Sequence, residues 1–155
     1  MNNVLFVCTG NTCRSPFAAY YFNKKAAERG LSFVSRSAGL FANEGESPSF
    51  AALEAAADFG VYAEMKAHEA RSITDEDIVS SEYVFTLGEN HLMMLEPKVT
   101  LLNADKADGE KTKLYVLGNG IADPYGGNAE IYKACYLRIA DCVDAVIDRL
   151  VQIHG

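Results

Sequence analysis

The strongest constraint on the fold is a short apolar run that leads directly into a loop containing a cysteine and an arginine. Residues 4–7 are typical of a buried strand, and residues 8–16 read CTGNTCRSP. Ser15 and Pro16 are typical of a helix start, since serine caps helices and proline fits their first turn. A strand, a tight loop and a helix N-terminus direct backbone N–H groups at one small volume. The sequence therefore predicts an anion-binding loop.

The six-residue spacing between Cys8 and Arg14 suits phosphate chemistry. Gly10 lets the backbone approach closely, so that the loop amides can converge on an oxyanion. The planar guanidinium of Arg14 can bind two equatorial oxygens, which a lysine could not do. These groups and the helix N-terminus favour the thiolate form of Cys8, and Ser15 can donate a hydrogen bond to the sulfur. The combination predicts a nucleophile in a phosphate site.

Simpler interpretations exist for each residue alone. Cys8 could be a small buried hydrophobic residue, and Arg14 could be a solvated surface charge. Cys8 and Cys13 could form half of a zinc site, but no second pair with ligand spacing exists, so we predict no metal. A thiolate that attacks phosphorus also needs a proton donor for the leaving group. Asp123 is the candidate, although Asp-Pro before two glycines is also an ordinary turn.

Composition restricts the partners and the compartment. The chain has 155 residues and a formal net charge of −7, which argues against nucleic acid or an anionic membrane as a partner. Four cysteines are too few for a secreted disulfide scaffold, and neither a signal peptide nor a membrane span is evident. We expect a cytoplasmic protein that works as a monomer.

Strand and helix patterns alternate, which predicts one α/β domain over residues 1–155. The predicted helices are 16–29, a segment from Ser47-Pro48 to about Gly60, a short helix with a capping box at 74–77, and 89–95, stopped before Pro97. The later predicted strands are 31–37, 83–87, 99–102 as a weaker candidate, and 114–117. Residues 67–73 are expected to form a turn or a short strand-like connection, and 103–113 a surface loop. The last helix carries an apolar stripe: Ile131, Cys135, Ile139, Cys142, Val146, Leu150 and Ile153.

The CTGNTCRSP motif, with Asp123-Pro124-Tyr125 near the C-terminus, resembles the low-molecular-weight protein tyrosine phosphatase family. The resemblance includes residues 37–39, which read SAG, and 68–71, which read HEAR. It implies a low-molecular-weight phosphatase domain that covers the whole chain. Its fold would be a three-layer α/β domain with a four-stranded parallel sheet, helices on both faces and an N-terminal phosphate-binding loop. It also implies a two-step mechanism without a metal or cofactor.

The resemblance implies a role for each matched residue. Cys8 attacks the phosphoryl group to give a cysteinyl-phosphate, Arg14 binds the transition state, and Asp123 acts as general acid and then as general base. The implied phosphate-binding residues are Thr9, Gly10, Asn11, Thr12, Cys13, Arg14 and Ser15. The residues implied to support the loop are Asn11, Ser15, Ser37 and His68. His68 could equally be an incidental surface histidine.

Three residues are candidates for the substrate pocket: Thr12, Phe41 and Tyr125. Tyr125 matches an aromatic wall and Phe41 could form the opposite side, although both could be core residues. Tyrosine-specific members commonly carry a larger aliphatic residue at the position of Thr12, whereas bacterial protein-arginine phosphatases of this family read CTGNTCRS. A threonine hydroxyl could orient a guanidinium group. We expect a phosphorylated protein substrate, with phosphoarginine favoured over phosphotyrosine, and inorganic phosphate as product.

Two other functions are open at this point. An arsenate reductase of the same fold would need a redox cysteine pair near the site, but Cys135 and Cys142 are predicted to lie in the core. A non-catalytic phosphate- or phosphopeptide-binding module would not need a cysteine, an arginine and an acid together. The resemblance also implies that Cys13 can form a protective disulfide with Cys8 under oxidation.

Overall fold

Short apolar segments form four strands of one parallel sheet in the computed structural model, which describes residues 2–154. The strands are β1 (Asn3–Cys8), β2 (Val34–Gly39), β3 (Tyr83–Thr86) and β4 (Lys113–Val116). The helices are α1 (Arg14–Glu28), α2 (Phe50–Ala57), α3 (Tyr62–Ala67), α4 (Asp75–Val79), α5 (Glu89–Asn103) and α6 (Ala129–His154). The strand order β2-β1-β3-β4 confirms the predicted four-stranded parallel sheet.

Helices cover both faces of this sheet because β1 is apolar on both sides. Phe6 of β1 belongs to the cluster that includes α1 and α6, where Phe17 stacks on Tyr136 with ring centroids 3.9 Å apart. Leu5 and Val7 belong to the opposite cluster, which includes residues of α4 and α5. A strand buried on both faces is expected to be continuously hydrophobic, as residues 4–7 are.

The topology determines where a site can form. β1 lies between β2 and β3, and the register pairs Cys8 with Gly39 and Val7 with Thr86. After β1 the chain therefore continues to β2 on one side, whereas after β3 it continues to β4 on the other side. A crevice opens at such a reversal, at the carboxyl ends of parallel strands. Cys8 lies at this point.

The helix starts differ from the prediction in their capping residues. α1 starts at Arg14, two residues earlier than predicted, and its N-cap is Cys13 without a side-chain cap. Ser15 is therefore not the cap, and its hydroxyl contacts Cys8 instead. α2 starts at Phe50 and is capped by Ser49, whose side chain accepts from the N–H of Ala52. α3 was not predicted, whereas the capping box of Thr74 and Asp77 at α4 is confirmed.

The prediction that a helix stops before Pro97 is wrong, and so is the candidate strand 99–102. α5 continues through Pro97 to Asn103. Val99 and Leu95 are buried one turn apart against the sheet, and Pro97 is exposed between them. Burial of that face stabilises the helix despite the hydrogen bond that proline cannot donate. The remaining loop contains a 3₁₀ turn, Asp108–Glu110, and the fourth strand is confirmed as β4.

The apolar stripe predicted for the last helix coincides only in part with the face of α6 that is buried. Ile139 and Leu150 are buried, but Ile131 and Ile153 are about half exposed, and Cys135 and Cys142 are only partly buried. The buried face of α6 is formed by Tyr132, Tyr136, Ile139, Ala140, Val143, Ile147 and Leu150. Two apolar stripes overlap on this helix, and periodicity does not distinguish them. Within residues 2–154, no helix is both long and apolar enough to span a membrane.

Candidate active site

The Cys8–Ser15 loop surrounds a buried sulfur with polar groups. Cys8 is 2 % exposed at the end of β1. Its Sγ lies 2.9 Å from the Ser15 hydroxyl oxygen, and the backbone N–H of Asn11 donates to Sγ over 3.3 Å. Donors directed at sulfur favour its anionic form and also improve it as a leaving group. The structure therefore places the predicted nucleophile and Ser15 in contact.

Asn11 gives the loop its shape. Its φ of 56° lies in the left-handed region, which asparagine tolerates better than most residues. Its side-chain amide donates to the hydroxyls of Ser15 and Ser37, each over 2.9 Å, and its Oδ1 accepts from the backbone N–H of Arg71. A left-handed residue turns successive amides to one side, which produces an anion-binding concavity. The predicted supporting residues Asn11, Ser15 and Ser37 thus lie in one hydrogen-bond network.

His68 lies in the same network and not on the surface. It is buried, its Nε2 is 2.8 Å from the carbonyl oxygen of Asn11, and its Nδ1 is 2.8 Å from the hydroxyl of Tyr20. Because a carbonyl only accepts, Nε2 must carry the proton, and Nδ1 accepts from Tyr20. Burial lowers the pKa of His68, and the nearby Arg71 acts in the same direction, against the hydrogen bond to Asn11.

Arg14 is oriented by two groups from the loop after β4. Its Nη1 donates to the carbonyl of Ile121 over 2.8 Å, and its Nη2 lies 3.6 Å from a carboxylate oxygen of Asp123. Within residues 2–154, Arg14 Nε is one of two buried side-chain polar atoms without a hydrogen-bond partner. A buried donor without a partner costs free energy. Because Arg14 Nε belongs to the Cys8–Ser15 loop, its missing partner indicates that an anion can bind there.

Asp123 is placed at the solvent side of the arginine. Its side chain is 50 % exposed, and its Oδ1 accepts from the backbone N–H of Tyr125 over 3.0 Å. This local turn directs the carboxylate toward Arg14 and the loop, while solvent access lets it exchange protons. The three residues predicted to be catalytic therefore come together from positions 8, 14 and 123.

His91 belongs to this site and was missed in the sequence. It lies in the first turn of α5, is 2 % exposed, and its Nε2 is 2.8 Å from the hydroxyl of Thr9. Burial lowers the pKa of His91 to about 4, and the positive charge of Arg14 acts in the same direction. His91 is therefore neutral near pH 7. The sequence carried no local signal for His91, because it is the parallel pairing of β1 with β3 that places the start of α5 beside the loop.

The predicted pocket residues have different environments. Thr12 and Tyr125 line one cavity of about 350 Å³, together with Glu46 and Tyr132, which the sequence did not indicate. Phe41 is not among the residues that line it. Its side chain is 65 % exposed, and its backbone N–H donates to the carbonyl of Thr9. Neither Phe41 nor Tyr125 is a core residue.

Cys13 and Cys135 are poor nucleophiles in this environment. Burial raises the pKa of Cys13 to about 12, with the neighbouring Cys8 acting in the same direction, and burial also raises the pKa of Cys135 to about 12. Cys135 is closer to the site than predicted, since its Sγ lies 3.8 Å from the carbonyl of Ala122. In the described residues 2–154, no group of three or more His, Cys, Asp and Glu side chains could hold a metal ion.

The chain is similar to known proteins over nearly its whole length. The family model described as low molecular weight phosphotyrosine protein phosphatase matches residues 3–153. A low molecular weight phosphotyrosine protein phosphatase of Sus scrofa is 31% identical over 158 residues, which is 96% of this chain and 95% of that protein. A protein-arginine-phosphatase of Geobacillus stearothermophilus is 34% identical over 149 residues, 96% of this chain and 93% of that protein.

A solved structure agrees in fold and carries a modified active site. It is the YwlE arginine phosphatase, in a cysteine-to-serine mutant whose active-site serine is phosphorylated. The TM-score is 0.84 at 26% identity, and the alignment covers 98% of this chain and 97% of that chain.

Proposed function

We propose, from the premise that the chain belongs to the low molecular weight phosphotyrosine protein phosphatase family, that Cys8 is its nucleophile, Arg14 its phosphate-binding cation and Asp123 its general acid. One observation carries these roles. Three groups meet at the Cys8–Ser15 loop. They are the buried Cys8 sulfur with its two hydrogen-bond partners, Arg14 with its unpaired buried Nε, and the half-exposed carboxylate of Asp123. The chain is thus a phosphohydrolase of this family, and its substrates are phosphorylated proteins.

In the first step, the Cys8 thiolate attacks phosphorus and an S–P bond forms. The bond from phosphorus to the leaving oxygen or nitrogen breaks, and Asp123 gives its proton to that atom. Arg14 and the loop amides stabilise the charge that develops on the equatorial oxygens. The phosphorylated serine of the YwlE mutant supports transfer to the residue at this position.

In the second step, Asp123 accepts a proton from water as the water attacks the cysteinyl-phosphate. The S–P bond breaks, inorganic phosphate leaves, and the thiolate is restored. The hydrogen bond from Ser15 stabilises the departing sulfur anion in this step. The network of Asn11, Ser37 and His68 keeps the loop amides in place through both steps.

We propose phosphoarginine as the preferred substrate. Thr12 provides a hydroxyl and Glu46 a carboxylate in the same cavity, and these polar groups suit a guanidinium better than a phenyl ring. The similarity to the Geobacillus enzyme supports this choice. Phosphotyrosine is the second candidate, because Tyr125 and Tyr132 line the same cavity and can contact an aromatic ring. We also propose that the enzyme is a monomer of the reducing cytoplasm, where a thiolate nucleophile stays active.

The test compares initial rates on phosphoarginine and phosphotyrosine peptides of one sequence. Cys8→Ser should abolish turnover of both, since a serine hydroxyl is a far weaker nucleophile. Thr12→Ile should shift the ratio of kcat/KM toward phosphotyrosine by about tenfold, the effect of one polar contact. Turnover that survives Cys8→Ser would overturn the mechanism, and an unchanged ratio for Thr12→Ile would overturn the substrate assignment.

A further inference from the structure

A second concave site lies away from the catalytic loop, between the β4 edge of the sheet and α6. Its volume is about 680 Å³, within the range of sites for small ligands. It exists because α6 packs against α1 and α2 and leaves the neighbouring face of β3 and β4 uncovered. No residue assigned to catalysis or to the substrate pocket lines it.

The floor of this groove is aromatic. Tyr83 and Phe85 of β3 and Tyr115 of β4 all lie on the α6 side of the sheet. The Phe85 and Tyr115 centroids are 5.8 Å apart at 30°, and those of Tyr83 and Tyr115 are 6.4 Å apart at 28°. Three neighbouring rings at these separations form a continuous aromatic surface, which favours an aromatic ligand over a purely polar one.

The wall of the groove is the outer part of the apolar stripe predicted for the last helix. Cys142, Val146 and Ile153 line it, and Ala145 leaves space between them. No segment of residues 2–154 covers this surface, and Ile153 and Tyr115 are each about half exposed. The stripe that periodicity assigns to the core thus contacts an open groove.

Two cations flank the aromatic floor from opposite sides. Lys113 of β4 has its Nζ 5.1 Å from the Tyr83 ring centroid, and Arg149 lines the groove from α6. Among the described residues 2–154, no carboxylate lies within 4 Å of either one. In a chain of net charge −7, Lys113 and Arg149 are two cations without a carboxylate partner at one apolar groove, and Glu82 acts on Tyr83 at its edge.

We propose that this groove binds a small aromatic anion, such as an aromatic carboxylate or sulfonate. The ring packs between the half-exposed Tyr115 and the apolar wall of α6, and the anionic group contacts Lys113 and Arg149. Burial of the ring supplies affinity, and the cations supply selectivity for negative charge in a partly desolvated position. β4 has only four residues, which offers little length for a partner strand to pair with.

The probe is 8-anilinonaphthalene-1-sulfonate, whose fluorescence rises in an apolar site, titrated into the folded protein. Its uncharged analogue N-phenyl-1-naphthylamine measures the contribution of the ring alone. We expect one sulfonate probe per chain, weakened about tenfold by Lys113→Met or Arg149→Met, with the neutral analogue unaffected by either change. Ala145→Trp, at an exposed position, should fill the groove and abolish binding of both.

Two controls separate this groove from other binding. Lys66→Met removes a lysine that lies over Tyr62 on another surface, and it should leave probe affinity unchanged. Saturating inorganic phosphate occupies the catalytic loop and should not displace the probe. Displacement by phosphate, equal affinity for both probes, or binding that survives Ala145→Trp would each overturn the proposal. A dimer that Ala145→Trp dissociates in sedimentation velocity would overturn it as well, because the occupant would then be a second copy.

Discussion

Asn11 holds the geometry of the Cys8–Ser15 loop through both its backbone and its side chain. It combines a left-handed backbone with three side-chain hydrogen bonds, to Ser15, Ser37 and the backbone of Arg71. A short polar side chain is needed for both features, because it tolerates positive φ and also reaches its neighbours. Motif reading identified Asn11, but its partners at positions 37 and 71 are brought to it by β2 and by the segment before α4.

His91 shows the opposite case, a site residue without a motif. Its Nδ1 has no hydrogen-bond partner among residues 2–154, although the side chain is 2 % exposed. The N-cap of α5 is Gly88, which provides no side-chain cap. Its backbone is extended, and a Cβ built there would lie 3.3 Å from His91 Nδ1 and 2.7 Å from the flexible amide end of Asn90. Gly88 therefore leaves α5 without a side-chain cap beside the unpaired His91 nitrogen.

Gly88→Ser should stabilise the protein by about 0.5 kcal/mol, the low end for an N-cap, because the buried His91 ring has to shift by a few tenths of an ångström to admit the new Cβ. The introduced hydroxyl can accept from the first turn of α5 and donate to His91 Nδ1. Gly109→Ser is the matched control, because it removes the same chain flexibility where a Cβ contacts nothing within 4 Å. The free energy of unfolding in urea measures both. A gain no larger than that of Gly109→Ser would mean that neither hydrogen bond forms.

At the scale of elements, α5 and α6 show how packing overrides local signals. α5 passes through Pro97 because Leu95 and Val99 are buried on either side of it. α6 carries two overlapping apolar stripes, and its contacts with α1 and α2 decide which one is buried. Periodicity in the sequence identifies an amphipathic helix. Which face of that helix is buried depends on the elements that pack against it.

Pro97→Ala should stabilise the protein by about 1–3 kcal/mol, since the exposed position keeps its surroundings and α5 regains an intrahelical hydrogen bond. Thr100→Ala, at another exposed position of α5, controls for helix propensity alone and should change the free energy of unfolding by less than about 0.7 kcal/mol. Urea unfolding followed by circular dichroism gives both values. Destabilisation by Pro97→Ala would show that α5 is adapted to a proline kink.

At the scale of the whole molecule, a buried carboxylate connects the sheet, α4 and the phosphate loop. Asp77 is 4 % exposed at its side chain and receives two hydrogen bonds from Arg71, of 2.8 and 2.9 Å, while Arg36 of β2 lies 3.5 Å away. Arg71 also donates its backbone N–H to Asn11. The Cys8–Ser15 loop is thus attached to an ion network beyond the site.

This network makes stability depend on acid pH. Burial alone would raise the pKa of Asp77, but the hydrogen bonds from Arg71 and Thr74 outweigh it and lower that pKa below the usual value. A lowered pKa in the folded state stabilises the protein above the pKa of the unfolded chain, about 4, and this contribution is lost as the pH falls below it. Asp77→Asn removes the ionisable group but keeps its shape.

Asp77→Asn should therefore lower the free energy of unfolding by about 2 kcal/mol at pH 7, with a smaller difference from the wild type at pH 3. Asp75→Asn, in the same helix, removes an exposed pair with Lys98 and should cost no more than about 1 kcal/mol. Urea unfolding at both pH values tests this. An equal loss at pH 3 and pH 7 would show that the titration of Asp77 is not the source of the difference.

The sequence by itself determined the features that depend on neighbouring residues. The strand, the loop and the start of α1 are contiguous, so CTGNTCRSP could be interpreted as a phosphate site without coordinates, and the capping box of α4 needs only Thr74 and Asp77. The parallel sheet also followed from alternating strand and helix patterns.

Only the tertiary structure decided the features that join distant segments. It brought His91 to Thr9 and Glu46 to Thr12, turned Ser15 from a helix cap into a partner of Cys8, and selected the buried stripe of α6. The physical reason is common to all of these. Hydrogen bonds and apolar burial depend on distance in space. Thr9 and His91 are 82 positions apart, so the residues around each of them do not indicate their contact.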